Sequence, residues 1–264
     1  MSKDKVEAHV PETMAEIDVR IKKTFTALTK VTHGVIAGHL RSVIVSGAAG
    51  CGKTYLLEKE LGEGQTGNKI KFNSIKGTMS PIGLYQSLYD SQAKSNVILI
   101  DDCDEIFEDL ESLNILKASL DTGDTRMVHW NKESNILAQA GIQSPFEFEG
   151  SVMFVTNINF VAEIAKGNKM SPHYTALVDR AIYVDLGIHN KREVLVRIAQ
   201  VVTTQEFLQE NNLTLVEAKA MLAWLNTHQK SLRTISIRTI LQLASLVKTD
   251  GHWQELAEVV MLKR

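Results

Sequence analysis

The sequence predicts an α/β fold: a parallel five-stranded sheet sandwiched by helices, followed by a small all-helical lid domain. Three observations carry this. Short β-branched or apolar runs alternate with amphipathic segments between about residues 42 and 187. Those runs are apolar almost throughout instead of at every second position, as strands covered on both faces are. Beyond about residue 188 only helical patterns remain. The chain has 264 residues, 44% hydrophobic and 23% charged, enough to bury a sizeable core as one large domain or one domain plus a small one.

Residues 1–41 are expected to form a helical segment that packs on the core. A helix over 12–40 follows from Ile17, Ile21, Phe25, Leu28 and Val31 at three- to four-residue steps, with Pro11 suited to a first turn. The sheet domain, 42–187, has expected strands at 43–47, 69–75, 97–101, 152–157 and 181–186. A helix is expected over 105–120. Between it and the fourth strand, near 125–150, a hairpin insertion is expected, with short strands at 126–130 and 146–149 around a polar stretch holding a short helix. The lid, 188–264, shows Val194, Leu195, Ile198 and Val201, then Ile237, Ile240, Leu241, Ala244 and Val247 at helical spacing.

A net charge of −2 gives no general attraction to nucleic acid or to anionic membranes, though a local basic face is compatible with it. No apolar run approaches the roughly 18 residues of a membrane span, and the N-terminus lacks the apolar core of a signal peptide. Two cysteines, Cys51 and Cys103, are too few for a disulfide framework, and no His or Cys grouping has zinc spacing. The expected setting is cytoplasmic.

The stretch "GAAGCGKT", 47–54, fits G-x-x-x-x-G-K-[ST] and lies between an expected strand and an expected helix, the context the pattern requires. Its glycines let backbone N–H groups turn towards a triphosphate, and the helix start adds partial positive charge. Lys53 would reach the β- and γ-phosphates and Thr54 would ligate Mg²⁺. The candidates to hold the nucleotide are Gly47, Ala48, Ala49, Gly50, Cys51, Gly52, Lys53, Thr54 and Tyr55. In "VILIDDCDEIF" the strand ends on Asp101, placed to hold the metal, while Asp102 is placed to polarise the attacking water. Asp104 and Glu105 suit the start of the next helix, where carboxylates are favoured.

Taken in order, the phosphate loop, "VILIDDCDEIF", "VMFVTN", "ALVDRAIYVDL" and "SIRTIL" resemble the five nucleotide-handling motifs of AAA+ ATPases. The stretch from "DDCDEIF" through "EFEGSVMFVTNI" is similar to uncharacterised AAA+ proteins of tailed bacteriophages. The resemblance implies Mg²⁺-dependent ATP hydrolysis by a homo-oligomer, a hexameric ring, that remodels a protein or DNA partner. It implies that Asn157 is sensor 1, Arg180 an arginine finger reaching a neighbour's γ-phosphate, and Arg238 sensor 2, with Ser236 as helix N-cap. The family usually places Glu where this chain has Asp102, so slow turnover is compatible with the sequence. A nucleotide-controlled loader that hydrolyses rarely is the alternative function. By position only, His33, Gly34 and Val35 are candidates for the adenine. Met79, Ile82 or Tyr85 occupy the place of a pore loop, although Met79, Leu84 and Leu88 suit a core; Trp130 beside Arg126 and His129 suits either stacking on a partner or burial within the hairpin.

Overall fold

A computed structural model describes residues 12–263. Pro11, expected in the first turn of the opening helix, lies outside them. Helix α1 spans Met14–Ile36. The chain divides into two compact units, one of Phe25–Ile188, the other built from 189–263 with residues 12–24.

The larger unit holds a five-stranded parallel sheet. Its strands are β1 (Ser42–Ser46), β2 (Lys71–Lys76), β3 (Asn96–Asp101), β6 (Ser151–Thr156) and β7 (Ile182–Asp185), in the order β2-β3-β6-β1-β7. All four pairings are parallel, and Ile44 lies opposite Phe154 and Val45 opposite Val155. Ile44, Ile98, Ile100, Val152 and Phe154 point into one buried cluster. The alternate residues Val43, Val45, Val97, Leu99, Met153 and Val155 are buried too. Both faces of the three central strands are therefore covered, and their sequences are apolar throughout for that reason.

The helices of this unit are α2 (Lys53–Thr66), α3 (Pro81–Asp90), α4 (Leu110–Ser119), α5 (Asn135–Gln139), α6 (Phe160–Ala165) and α7 (Ser171–Val178). Where one helix was expected over 105–120, there are two elements. A 3₁₀ turn, Asp104–Phe107, comes first, and α4 starts afresh with Asp109 as its N-cap, accepting from Ser112 N at 2.7 Å. Asp104 and Glu105 consequently cap nothing in α4. Glu105 accepts from Met79 N at 2.8 Å and ties down the loop after β2.

The insertion is a minimal hairpin, β4 (Met127–Val128) against β5 (Phe146–Glu147), carrying α5 at its tip. Arg126 anchors its base. The guanidinium is 2% exposed, donates to Ser119 O and Gly150 O at 3.0 and 2.7 Å, and stacks over Phe148. Burial lowers its pKa to about 10. Trp130 is half-buried against Tyr85 and joins the main core, so neither residue forms an exposed stacking platform. Met79 and Tyr85 are buried as well, which removes them as pore-loop contacts, whereas Ile82 is half-buried.

The second unit contains α8 (Lys191–Val202), α9 (Gln205–Glu210), α10 (Leu215–His228), α11 (Ile237–Thr249) and α12 (Trp253–Met261). The first half of α1 belongs to it, contrary to the expectation that the whole segment 1–41 packs on the core. The cause is polar. Buried Glu193 closes the capping box of α8 and pairs with Arg20 at 2.8 Å, and Gln200 donates to Asp18 O at 2.9 Å. Among the described residues, no helix is long and apolar enough to cross a membrane.

Candidate active site

The loop 47–52 leaves the tip of β1 and enters α2. Gly50 and Gly52 take φ of 69° and 92°, a left-handed backbone that other residues adopt at a cost. Gly47 lies against Leu186, where a Cβ would approach to 3.1 Å. Ala48 N donates to Ile188 O at 3.2 Å, pinning one side of the loop. The N–H groups of Ala49, Gly50 and Gly52 find no acceptor among the described residues. A helix start with such spare donors attracts an anion.

Lys53 is the centre of the site. It is 5% exposed, and its ammonium donates to Gly47 O at 2.5 Å, Ala48 O at 3.1 Å and Asn157 Oδ1 at 2.9 Å. Burial lowers its pKa, against the opposing pull of Cys51, Asp102, Asp101 and Asp104. A buried ammonium that rests on carbonyls and an amide is a cation without a full counter-charge. Thr54 Oγ1 lies 3.0 and 2.9 Å from the two carboxylate oxygens of Asp101. Burial raises the Asp101 pKa, opposed by the Thr54 bond. One hydroxyl and one buried carboxylate fit Mg²⁺, which takes few protein oxygens and completes its shell with water and phosphate. Among the described residues there is no group of three or more His, Cys, Asp or Glu side chains that would hold a metal alone.

Asn157 stands just past the end of β6. Its Oδ1 accepts from Lys53 while its Nδ2 donates to Asp102 Oδ1 at 3.2 Å, so a single amide joins the phosphate loop to the acidic strand tip. Asp102 is exposed, with φ of 53°. The sequence placed Asp104 at a helix start and not in this site. Its Oδ2 accepts from Asn157 N at 3.4 Å, and its Oδ1 is buried with no partner among the described residues. The only trace of this in the sequence is its place three residues after Asp101.

The other expected residues lie elsewhere. Tyr55 is half exposed on α2. Arg180, between α7 and β7, lines a recess of about 230 Å³ with Arg41, Ser42 and Ile182, where β1 and β7 begin. That is the sheet edge opposite the loop, about 15 Å away along five residues of strand. Arg238 belongs to the second unit, exposed on the first turn of α11, whose N-cap is Ser236. The adenine candidates are spread over two places. Helix α1 ends beside the beginning of β1, so Val35 lines a cavity with Val97 and Ser151, two positions at or near strand starts, and His33 bonds Glu60 on α2 at 2.6 Å.

Comparison with known proteins then bears on this geometry. Over 249 residues the chain is 41% identical to an uncharacterised 36.7 kDa protein of Enterobacteria phage T4 from the nrdC-mobD intergenic region, covering 94% of this chain and 76% of that protein. The chain belongs to the family of this phage protein. No protein-family model matches it. Among solved structures it resembles NtrX of Brucella abortus in complex with ADP, with TM-score 0.56 and 13% identity over 93% of this chain and 52% of that one. It also resembles domain III of the replication initiation protein DnaA of Thermotoga maritima, with TM-score 0.51 and 13% identity over 90% of this chain and 92% of that one. The chain thus spans about half the length of NtrX and nearly all of the DnaA domain. Both are AAA+ proteins, and the fold described above is the AAA+ fold.

Proposed function

We propose that the protein binds ATP with Mg²⁺ in the loop 47–54, hydrolyses it, and uses the cycle to remodel a protein or nucleic-acid partner as a homo-oligomeric ring, hexameric by the family resemblance. The convergence on Lys53 supports this most. A buried ammonium held by Gly47 O, Ala48 O and Asn157 Oδ1 can exchange those acceptors for phosphate oxygens without moving its stem. Spare N–H groups of the loop hold the β-phosphate, and Thr54 and Asp101 hold the metal, which supplies charge neutralisation at the phosphates when bound. Hydrolysis adds water across the terminal P–O bond. Asn157 orients that water beside the γ-phosphate, and Asp102, bonded to the same amide, accepts its proton. The likeness to NtrX, solved with ADP, favours an adenine nucleotide.

Arg180 completes this reading from outside the subunit. Its edge of the sheet is remote from its own loop, so a phosphate contact by Arg180 must be made in trans, to the nucleotide of the next copy. Arg238, on the lid, is the sensor that couples nucleotide state to the helical unit. The test is to mix Lys53→Ala with Arg180→Ala protein and assay ATP hydrolysis. Shared sites would combine an intact loop with an intact finger and recover part of the activity. No recovery, with a monomeric mass under ATP, would exclude the ring.

One observation favours a second reading. Asp102 is one methylene shorter than the family's Glu and sits exposed in a left-handed backbone, which suits slow hydrolysis. The protein would then act as an ATP-controlled loader or assembly factor, a role in keeping with its likeness to the replication initiation protein DnaA. Turnover well below one per minute that no DNA or polypeptide stimulates would favour that reading.

A further inference from the structure

The cationic surface at Arg180 extends beyond Arg180. Lys117, near the end of α4, donates from Nζ to His173 Nδ1 on α7 at 2.8 Å, and among the described residues its only other acceptor is Asn114 Oδ1 at 3.4 Å. An ammonium always donates, so His173 Nδ1 must accept, and its ring proton is on Nε2. The imidazole therefore orients the lysine without neutralising it. Arg180 places Nη1 on Ala176 O at 2.9 Å and keeps a buried Nε–H with no acceptor among the described residues. Neither Lys117 nor Arg180 has a carboxylate partner among the described residues. Burial, and next the charge of Arg180, hold the Lys117 pKa below its ordinary value. Two neighbouring half-buried cations, one with a spare donor, form a surface that an anion would complete.

The anion is the one that Arg180 meets, since Lys117 docks on the same helix, α7. The strand-start edge presents Arg41 and Arg180 with Asp121 and Asp179 in the same recess, and Lys117 lies alongside, because its partner His173 and Arg180's partner Ala176 are one turn apart on α7. We propose that Lys117, oriented by His173, is a second cation beside Arg180 in the contact that one copy of this chain makes with the nucleotide phosphates held by the next copy. This rests on the reading of Arg180 as a finger acting in trans.

The test uses the full chain. Lys117→Met, Lys117→Arg and Arg180→Ala are each mixed with Lys53→Ala and assayed for ATP hydrolysis. Sedimentation velocity gives the subunit concentration at which each variant alone assembles with ATP. Lys117→Met is expected to need about tenfold more protein to assemble, as loss of one charge-assisted contact implies, and its hydrolysis should recover on mixing. Lys117→Arg should assemble within about twofold of wild type. A thermal midpoint without nucleotide that is not lowered in Lys117→Met separates this from a structural role; if that variant does not fold, Lys117→Gln replaces it. Wild-type assembly and hydrolysis by Lys117→Met would overturn the proposal. So would a loss that Lys53→Ala fails to rescue while the Arg180→Ala mixture recovers. Failure of both mixtures would overturn the finger reading itself, and this proposal with it.

Discussion

Replacing Lys53 with Met separates the site's chemistry from the fold's stability. Methionine keeps most of the stem's volume and removes the charge. Without nucleotide, the change deprives Gly47 O, Ala48 O and Asn157 Oδ1 of their donor, at about 1 kcal/mol net each. Against this, it removes a cation whose pKa burial has lowered, a group the fold holds at a cost. The two terms oppose each other, so the stability of the free protein should change by no more than about 2 kcal/mol. The effect of ligand has no such compensation. A nucleotide at one hundred times its Kd stabilises a protein by about 2.7 kcal/mol. At roughly 2–4 °C per kcal/mol, MgATP should raise the wild-type midpoint by about 5–10 °C. In Lys53→Met that rise should vanish while the free midpoint stays within about 8 °C of wild type. Thermal unfolding followed by near-ultraviolet circular dichroism, with and without MgATP, measures both. An undiminished rise in the variant would refute the role given to Lys53, and a free-state loss above about 4 kcal/mol would show a structural clamp instead.

Three further outcomes are expected. Asp101→Asn should raise the midpoint of metal-free protein by a few degrees and abolish the Mg²⁺-dependent part of the ATP effect. A carboxyl whose folded pKa lies above its unfolded value weakens the fold at neutral pH, and the penalty fades as pH falls through the folded value; the gain from Asp101→Asn should therefore shrink between neutral and acidic pH. Asp102→Glu should speed hydrolysis, measured as phosphate release, and lower stability by roughly 0.5–1 kcal/mol, since Glu tolerates the φ of 53° less well than Asp. Gly150→Ala should be severe, because a Cβ there would lie 2.2 Å from Ser91 O, while Gly150 N bonds Gln92 O and Gly150 O accepts from Arg126. Movement of the hairpin base should cost about 3–5 kcal/mol in chemical denaturation, and a loss under 1 kcal/mol would contradict the rigid anchoring.

What was legible in the sequence was local. The loop 47–54 depends on glycine spacing and on the Lys-Thr pair, so its place between strand and helix followed directly. Strands with both faces buried were found to within a residue or two, because their apolar runs have no other use. The readings that the sequence left open or missed depend on topology. His33, Gly34 and Val35 were candidates for the adenine by position only, which could not show that α1 runs towards the start of β1, where Val35 lines a cavity. Trp130 suited either a partner or the hairpin's interior, and only its packing on Tyr85 decides for the interior. The first half of α1 joins α8 through Arg20 and Glu193, a pairing across 173 residues that periodicity cannot show. The break between the 3₁₀ turn and α4 rests on the cap at Asp109, which the apolar pattern runs straight through.

The central claim is that a triphosphate lies across 47–54 with its terminal group between Lys53 and Asn157. A crystal structure of the assembled protein with Mg²⁺ and a non-hydrolysable ATP analogue tests it most directly. It should show the γ-phosphate within hydrogen-bonding distance of Lys53 Nζ and Asn157, the metal on Thr54, and Arg180 approaching from a second copy. Nucleotide bound elsewhere, with Lys53 still resting on Gly47 O and Ala48 O, would contradict the account.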